Sequence, residues 1–516
     1  MRAWGCPCAA LTSRSIMVAM PASSPSKPGI AGAGWYVLLG SCLYLCLNLV
    51  SLRGAPFLLG GDEQVFWMNA LRMLQGELLY RDFFEFTPPG TDLVYLGAFA
   101  LLGPRIWVPN LVQLLLGSSL ACLCFHLARS IMRPAEAAVA AALFLVLLFG
   151  KWLDATHHWF SLLAVMAAVA VMMRGSSAPR VLVCGVLLGL ASFFTQTRGI
   201  GAAVGFAAFL TWDGNHRRVS WRSQFGQLLR LSTAMILTWL VLSTYFIYEL
   251  GISKLFYFQV MYVLEHVSRS AQRLLYPGEQ EPLAWPFHYQ LIFFAQPLIY
   301  AISLWRCRRA AVRGFAFDAR VALLALVGAG MFLEVAQSPN WLRVDCIAMP
   351  AVILLVWLVS GAAEGLHAYA RLRTYAIALT AIGLIGVSAH QVWARNIARP
   401  LVLDLPAGRS AVTALAGEKL TWLARRTTPG ELFFQARYQS LYLPLQLRDP
   451  AFDFLDRYTS PEFVALDLRQ LAARRARYIL WSPLDRPRYP AFEQFLYESY
   501  RRVWRFTDAA EIWELQ

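Results

Sequence analysis

Charged residues are scarce in this chain, and acidic residues are the scarcer kind. Only 15% of the 516 residues are charged, whereas a soluble globular protein carries about a quarter. Because 58% of the residues are hydrophobic and the mean hydropathy is +0.48, a water-soluble globular chain is excluded. Basic residues outnumber acidic ones by 46 to 31, a net charge of +15. In so apolar a chain this excess indicates loop orientation and contact with membrane lipids, so no nucleic-acid partner is expected.

Cysteine and histidine are too scattered to suggest a structural framework. None of the nine cysteines lies beyond Cys346, and no CxxC pair occurs. The pattern predicts no disulfides in the C-terminal region, and no histidine spacing indicates a structural zinc site. An internal sequence repeat is missing as well.

Long apolar runs, in contrast, dominate the first three quarters of the chain. A helix needs about 20 apolar residues to cross a bilayer, and residues 91–103 are too short to cross upright. The runs near that length are residues 35–52, 106–128, 135–150, 159–173, 181–196, 199–212, 231–249, 289–305, 320–336, 345–361 and 374–391. We therefore expect an all-α polytopic membrane protein with about eleven transmembrane helices.

Arginine in the loops predicts the orientation of these helices. With the basic tail, residues 1–34, taken as cytoplasmic, the loops on its side of the membrane are rich in arginine. The loops on the other side carry isolated basic residues mixed with acids, which fits the positive-inside rule. This assignment gives a transmembrane domain over residues 35–391, with an external loop at 53–90.

The composition changes at about residue 392, where charge rises and no later run could span a bilayer. Residues 431–436 and 476–482 read as buried strands, and the last residues as two short strands around a turn. Residues 410–426 and 461–475 have helical spacing. We predict a small α/β domain over residues 392–516, on the same side of the membrane as Asp62.

The external loop holds the densest acidic chemistry in the first half of the chain. Its residues 64–75 alternate apolar and polar side chains at helical spacing, which predicts an amphipathic helix lying along the membrane surface. Asp62 and Glu63 precede this helix. Beside an apolar wall a carboxylate stays basic enough to deprotonate an acceptor hydroxyl, although a solvated loop charge is the simpler reading.

Two further groups on this side of the membrane are weaker candidates. Glu85 precedes the rigid turn at Thr87 and Pro88, which turn chemistry alone explains as well as function does. His158 is paired with His157 at the end of a span, and without a nearby carboxylate ligand the pair is weak evidence for a metal.

Several cations on the same side could bind a phosphate. Arg198 lies between two apolar runs, where a guanidinium must find an anion or a carbonyl, either a phosphate or a structural ion pair. Glu265, His266 and Arg269 follow an aromatic stripe, and Arg343 is a further cation. An acid, cations and aromatic residues at one surface suit a lipid carrier with its phosphate at the interface and its tail in the bilayer.

These motifs, in this order, resemble the GT-C glycosyltransferases of the protein O-mannosyltransferase and lipid A aminoarabinose transferase type, including the bacterial lipopolysaccharide-core branch. Gly61-Asp62-Glu63 is similar to the family's acidic motif in the first external loop. The stretch from Arg81 to Gly90 resembles an acid-x-Lys-Pro-Pro-Gly motif, and Thr195 to Gly199 a Thr-Lys-Gly segment. The run from Tyr257 to Arg269 is similar to an aromatic run followed by Glu-His-x-x-Arg.

The resemblance implies a GT-C fold and an inverting transfer of sugar from a polyprenyl-phosphate donor on the periplasmic face of a bacterial inner membrane. Asp62 would be the catalytic base, with Glu63 beside it in the catalytic site, and Arg198, Glu265, His266, Arg269 and Arg343 would bind the donor phosphate and lipid. No metal is chemically required, although a divalent ion is compatible. The acceptor could be a glycolipid, a saccharide or a protein.

Two departures from the family pattern concern the site. Thr87 stands where the family often has lysine, and His158 stands near where many members carry a second aspartate. Two other functions stay open: a transporter or flippase of lipid-linked sugars, and a membrane scaffold with a periplasmic binding domain. A transporter would more often show inverted repeats and charges near the bilayer midplane.

Overall fold

The computed structural model describes residues 30–266, 281–312, 318–361, 369–437, 439–455, 459–482 and 489–516. Most of the predicted tail, and Arg269 among the candidate residues, lie outside this part of the chain. The remaining candidate residues can all be placed.

Helices make up the chain as far as residue 398. The first nine are α1 (Ile30–Leu49), α2 (Glu63–Leu74), α3 (Gly90–Leu102), α4 (Trp107–Ala128), α5 (Pro134–Trp152), α6 (His157–Met172), α7 (Ala178–Phe194), α8 (Gln196–His216) and α9 (Trp221–Leu250). They are followed by α10 (Ile252–Phe256), a π-helical turn (Tyr257–Met261), α11 (Tyr262–His266), α12 (Phe287–Val312), α13 (Ala319–Ala336), α14 (Trp341–Cys346), α15 (Met349–Gly361) and α16 (Tyr369–Ala398).

Within the described residues, six helices are long and apolar enough to cross a membrane: α4, α5, α9, α12, α13 and α16. Five shorter apolar stretches lie in α1, α3, α6, α7 and α15. α9 and α16 bury few of their apolar side chains within the protein, as expected of helices in contact with lipid. The chain is therefore an integral membrane protein, while the predicted number of eleven crossings stays a prediction.

Glycines bring the backbones of α8 and α13 into contact. Gly201 and Gly205 form a GxxxG pair on α8, and Gly330 faces them from α13. A Cβ on Gly205 would lie 2.6 Å from the carbonyl oxygen of Leu326, and a Cβ on Gly201 would lie 2.9 Å from that of Gly330. Small residues at this spacing allow close helix packing in membranes. The contact fixes the register between the two helices.

The helix predicted along the membrane surface is instead enclosed on both faces. α2 buries the apolar Phe66 and Trp67, but also Asn69 and Arg72, which are 0% and 2% exposed. The prediction that the polar face of α2 lies in water is therefore wrong. The C-terminal domain covers Arg72, whose Nη1 donates to the carbonyl oxygen of Ala451 over 2.7 Å and stands 4.0 Å from Asp449.

The C-terminal domain begins with a hairpin and continues as a four-stranded mixed sheet. Its elements are β1 (Leu401–Leu405), β2 (Gly408–Val412), α17 (Ala414–Ala424), β3 (Phe433–Gln435), α18 (Tyr442–Leu445), α19 (Pro461–Arg474), β4 (Tyr478–Trp481), α20 (Pro490–Ser499), β5 (Tyr500–Arg505) and β6 (Glu511–Leu515). The strand order is β3-β4-β6-β5, with β3 and β4 parallel and the other pairs antiparallel. The predicted strands at 431–436 and 476–482, the final strand pair and the helix at 461–475 are confirmed, whereas the helix predicted at 410–426 begins at Ala414 because residues 408–412 form β2.

This domain is tied to the external loop by backbone hydrogen bonds. The Leu58 N–H donates to the carbonyl oxygen of Ala411 in β2 over 3.0 Å, and the Phe84 N–H donates to that of Phe452 over 2.7 Å. The loop that carries Asp62 therefore lies between the helical bundle and the C-terminal domain.

Candidate functional site

Two sequence-distant acidic segments meet at the start of α2. Asp62 is exposed, while Glu63 is completely buried. Asp154, between α5 and α6, is 5% exposed, and its Oδ1 accepts the Glu63 N–H over 3.1 Å. A carboxylate at a helix N-terminus accepts from an otherwise unpaired N–H and interacts favourably with the positive end of the helix dipole. Asp62, Glu63 and Asp154 together are called the acid cluster below.

A tight turn delivers Asp154 to this cluster. Leu153 has a left-handed backbone, with φ of 45°, which is costly for a branched side chain and is found most often at functional positions. Gly61 faces the turn with a φ of +140°, and a Cβ there would lie 3.1 Å from Asp154 Cγ. Only glycine meets both conditions without strain.

Gln113 of α4 holds the turn and the buried carboxylate together. Its Nε2 donates to Glu63 Oε2 over 2.5 Å and to the carbonyl oxygen of Leu153 over 2.6 Å. The Ala155 N–H donates to the same Glu63 oxygen over 3.1 Å. Glu63 is thus held by the scaffold and has little room to reach a substrate.

Burial shifts the proton affinities of the inner two acids. Desolvation raises the pKa of Glu63 above its usual range, with a smaller contribution from the charge of Asp62. Desolvation, followed by the charges of Glu63 and Asp62, raises the pKa of Asp154 well above its usual range. These two carboxyls therefore retain protons at neutral pH more readily than ordinary acids. Asp62 is the exposed member of the cluster.

Two arginines share one glutamate on the other side of α6. Arg198 at the start of α8 is 0% exposed, and its Nε lies 3.1 Å from Glu334 Oε2 on α13. The other oxygen of Glu334 lies 2.5 Å from Arg343 Nη2 on α14. The register set by Gly201 and Gly330 places Arg198 beside Glu334, because each lies one turn from one of those glycines. We call Arg198, Glu334 and Arg343 the basic cluster.

The basic cluster contains buried donors without an acceptor. Neither Nη1 nor Nη2 of Arg198 has a hydrogen-bond partner among the described residues, and the same holds for Arg343 Nε. Leaving such groups buried and unpaired is costly, so the arrangement favours an anion that accepts from the open edge of Arg198. A guanidinium fork matches two oxygens of a phosphate.

His157 and His158, at the start of α6, lie between the two clusters. Their rings stack with centroids 3.9 Å apart, and the His157 ring lies 5.7 Å from Phe66 of α2. The charges of Arg198, Arg343 and Glu334 act on His157. Neither Nδ1 atom has a partner among the described residues. Thr195 Oγ1, three residues before Arg198, donates to the carbonyl oxygen of His157 over 3.1 Å, so the start of α6 contacts both α2 and the segment that leads into α8.

Glu85, Thr87 and Pro88 belong to a separate buried polar group two turns along α2. Asn69 Nδ2 donates to Glu85 Oε2 over 3.3 Å and to Asp92 Oδ1 over 2.9 Å. Glu85 Oε1 accepts the N–H of Thr87 over 2.9 Å. Pro88 is buried beside them. These residues shape the loop and tie the middle of α2 to the start of α3.

Glu265 and His266 face the C-terminal domain. Glu265 is exposed, and the His266 ring stacks on Tyr262 at 4.3 Å. Tyr262 in turn stacks on Phe463 of α19 with centroids 5.4 Å apart, and Phe84 lies 4.6 Å from Tyr262. The predicted aromatic stripe therefore packs against the C-terminal domain and the external loop. The role of these residues with a lipid stays a prediction.

Sequence reasoning missed Asp154, Glu334 and Gln113. Glu334 had a usable signal, because an ionisable residue inside an apolar helix marks a functional site by default. Asp154 and Gln113 had none, since their relation to Glu63 depends on how α2, α4 and α5 pack. Among the described residues, no group of three or more His, Cys, Asp or Glu side chains is arranged to hold a metal ion.

The fold is similar to that of ArnT and of the oligosaccharyltransferase AglB, which confirms the predicted fold class. ArnT from Cupriavidus metallidurans in the apo state matches with a TM-score of 0.59 and 16% identity over 94% of this chain and 98% of that one. The same protein bound to undecaprenyl phosphate gives a TM-score of 0.55 and 14% identity over 95% and 98%.

The archaeal oligosaccharyltransferase AglB from Archaeoglobus fulgidus, in complex with an inhibitory peptide and a dolichol-phosphate, gives a TM-score of 0.54 at 11% identity. That match covers 95% of this chain and 75% of AglB. No protein-family model and no curated protein matches the chain. At these identities the likeness establishes the fold, and the function has to be argued from the site.

Proposed function

We propose that the protein is a membrane glycosyltransferase that moves a sugar from a polyprenyl-phosphate donor to an acceptor hydroxyl, with inversion, on the periplasmic face of a bacterial inner membrane. The observation that carries this proposal is the open, buried edge of Arg198, with Nη1 and Nη2 both unpaired among the described residues. The start of α6 links this edge to α2, whose N-terminus carries the acid cluster. Two fold neighbours bound to polyprenol phosphates, undecaprenyl phosphate and dolichol-phosphate, support the choice of donor.

Asp62 is the proposed general base. It takes the proton from the acceptor hydroxyl as that oxygen attacks the anomeric carbon of the sugar. The bond between the anomeric carbon and the phosphate oxygen breaks, and its electron pair leaves with the polyprenyl phosphate. Arg198 and Arg343 stabilise the charge that grows on the phosphate in the transition state. The buried Glu63 and Asp154 position the turn, and need not take the proton.

Asp62→Asn in the full-length purified protein tests the base assignment. We expect the variant to keep its thermal stability and to lose at least about a hundredfold in sugar transfer, the scale of a general base. Glu63→Gln is the matched control, since it removes a neighbouring carboxyl that the scaffold already holds. Full transfer by Asp62→Asn would refute the assignment.

Mass spectrometry of cell-envelope glycans from cells with and without the protein would identify the sugar and the acceptor. The expected result is the loss of a single sugar residue from one glycan class, and its mass supplies the donor for the purified assay. An unchanged envelope, together with movement of lipid-linked sugar across vesicle bilayers, would favour the flippase alternative instead.

A further inference from the structure

Glu334 controls both the geometry and the charge of the basic cluster. Its two oxygens engage different arginines, as Oε2 lies 3.1 Å from Arg198 Nε and Oε1 lies 2.5 Å from Arg343 Nη2. Thr197 Oγ1 also donates to Oε1 over 2.8 Å. The Glu334 side chain is 7% exposed, so these contacts form in an environment of low dielectric constant.

Glu334 contacts Arg198 in a way that leaves the Nη1 and Nη2 edge of the guanidinium open. Contact through Nε occupies one edge, while Nη1 and Nη2 are buried and unpaired among the described residues. A carboxylate that gripped both Nη atoms would compete with a phosphate for the same edge. The observed geometry therefore orients the open edge and keeps it available.

The basic cluster also has a defined charge. Two arginines and one glutamate give 2 − 1 = +1 for the described groups. A sugar linked through one phosphate is a phosphodiester with a single negative charge, and a sugar linked through a diphosphate carries two. Because an uncompensated charge in a buried site is costly, this cluster balances the first kind of lipid and leaves the second with excess negative charge.

We infer that Glu334 is the specificity-determining residue that restricts the donor to a lipid with a single phosphate. The inference rests on the proposed function, in which the donor is a polyprenyl-phosphate sugar, and adds the residue that excludes a diphosphate donor. Without the carboxylate the same arginines would carry +2, and a diphosphate-linked lipid would then be the better electrostatic match. Glu334 acts through the arginines and is a positioning residue, so a test has to separate its charge from its structural role.

Glu334→Gln makes this separation, since the amide keeps the shape and one acceptor while the net charge rises by one. The probes are polyprenyl phosphoglucose and polyprenyl diphosphoglucose of equal chain length, bound to the full-length protein in nanodiscs. We expect the wild type to bind the monophosphate lipid at least about tenfold more tightly, and the variant to reduce this preference to about threefold or less. The change should come mainly from tighter binding of the diphosphate lipid.

The double variant Glu334→Gln/Arg343→Gln returns the charge to +1 and should restore part of the monophosphate preference, which a merely structural role would not do. Asp213→Asn is the matched control: Asp213 pairs with Arg217 at the other end of α8, with 2.9 Å between Oδ1 and Nε. It should leave the preference unchanged.

Three results would overturn the inference: an unchanged preference in Glu334→Gln, a wild type that prefers the diphosphate lipid, or no recovery in a folded double variant. If Glu334→Gln does not fold, Glu334→Asp, which keeps the charge, has to retain the wild-type preference for the inference to stand. Binding of neither lipid by the wild type would instead count against the proposed function itself.

Discussion

Gly201 and Gly330 lie backbone against backbone, one helical turn from Arg198 and Glu334. A Cβ on Gly330 would collide with the carbonyl oxygen of Gly201, and a Cβ on Gly201 would lie 3.1 Å from Glu334 Cβ. The ion pair between Arg198 and Glu334 therefore depends on the close spacing between α8 and α13. The ion pair can form at 3.1 Å because no side chain separates the two backbones.

Gly330→Ala should destabilise the protein and weaken the basic cluster. Overpacking a tight contact costs about 1–3 kcal/mol, so we expect a lower apparent melting temperature and weaker binding of the polyprenyl-phosphate donor. Gly386→Ala on α16 is the control, because nothing lies within 4 Å of its Cβ position and alanine favours the helix. Equal melting temperatures for Gly330→Ala and wild type would contradict the close contact.

Glu63→Ala should cost more stability than Glu63→Gln. The alanine leaves the Gln113 amide and the Ala155 N–H without their acceptor, and each unpaired buried group costs about 1–3 kcal/mol. The glutamine keeps a carbonyl oxygen in place. Thermal unfolding of both variants measures the difference, and similar melting temperatures would show that Glu63 Oε2 does not support the turn.

Arg72→Met should loosen the C-terminal domain from the external loop. The substitution removes the hydrogen bond to the Ala451 carbonyl oxygen. It also removes the ion pair in which Arg72 Nε lies 2.5 Å from Glu77 Oε2. Leaving one member of a buried pair alone costs about 3–5 kcal/mol. We expect faster proteolytic release of the C-terminal domain. Arg81→Met is the control, since Arg81 is 48% exposed beside Asp82 and such surface pairs contribute little; equal cleavage rates would contradict the prediction.

Asp449 should make the domain more stable in mild acid. Burial raises the pKa of Asp449 from 3.8 to about 6, although the charge of Arg72 opposes the shift. Because the folded pKa exceeds the unfolded one, this contribution to stability is complete below pH 3.8 and is lost as pH rises through about 6. The shift corresponds to roughly 3 kcal/mol.

Asp449→Asn removes this titration. Its apparent melting temperature should therefore fall less than that of the wild type between mildly acidic and neutral pH. The variant is compared with wild type in the same detergent by a thermal scan at each pH, so that buried acids remote from Asp449 contribute equally to both. Parallel curves for the two proteins would show that Asp449 does not titrate in this range.

Local pattern was enough to define most elements of the chain. The strand at Tyr478–Trp481 follows from a short run of β-forming residues, and α2 follows from the helical spacing of apolar residues over 64–75. Prediction failed for the polar face of α2, since periodicity shows that Arg72 and Asn69 share a side but not what covers it. Arg72 is covered by a domain hundreds of residues away in the sequence, and Asn69 by Glu85 and Asp92.

The sequence by itself determined that this chain lies in a membrane, which of its segments form apolar helices, and that acids and arginines occur in its loops. These properties depend on neighbouring residues, whose spacing fixes hydrophobicity and helical period. Only the tertiary structure decided that Asp154 joins Glu63, and that Glu334 holds both Arg198 and Arg343. Those relations depend on the packing of α2, α4, α5, α8 and α13, in which a shift of one turn would separate every pair.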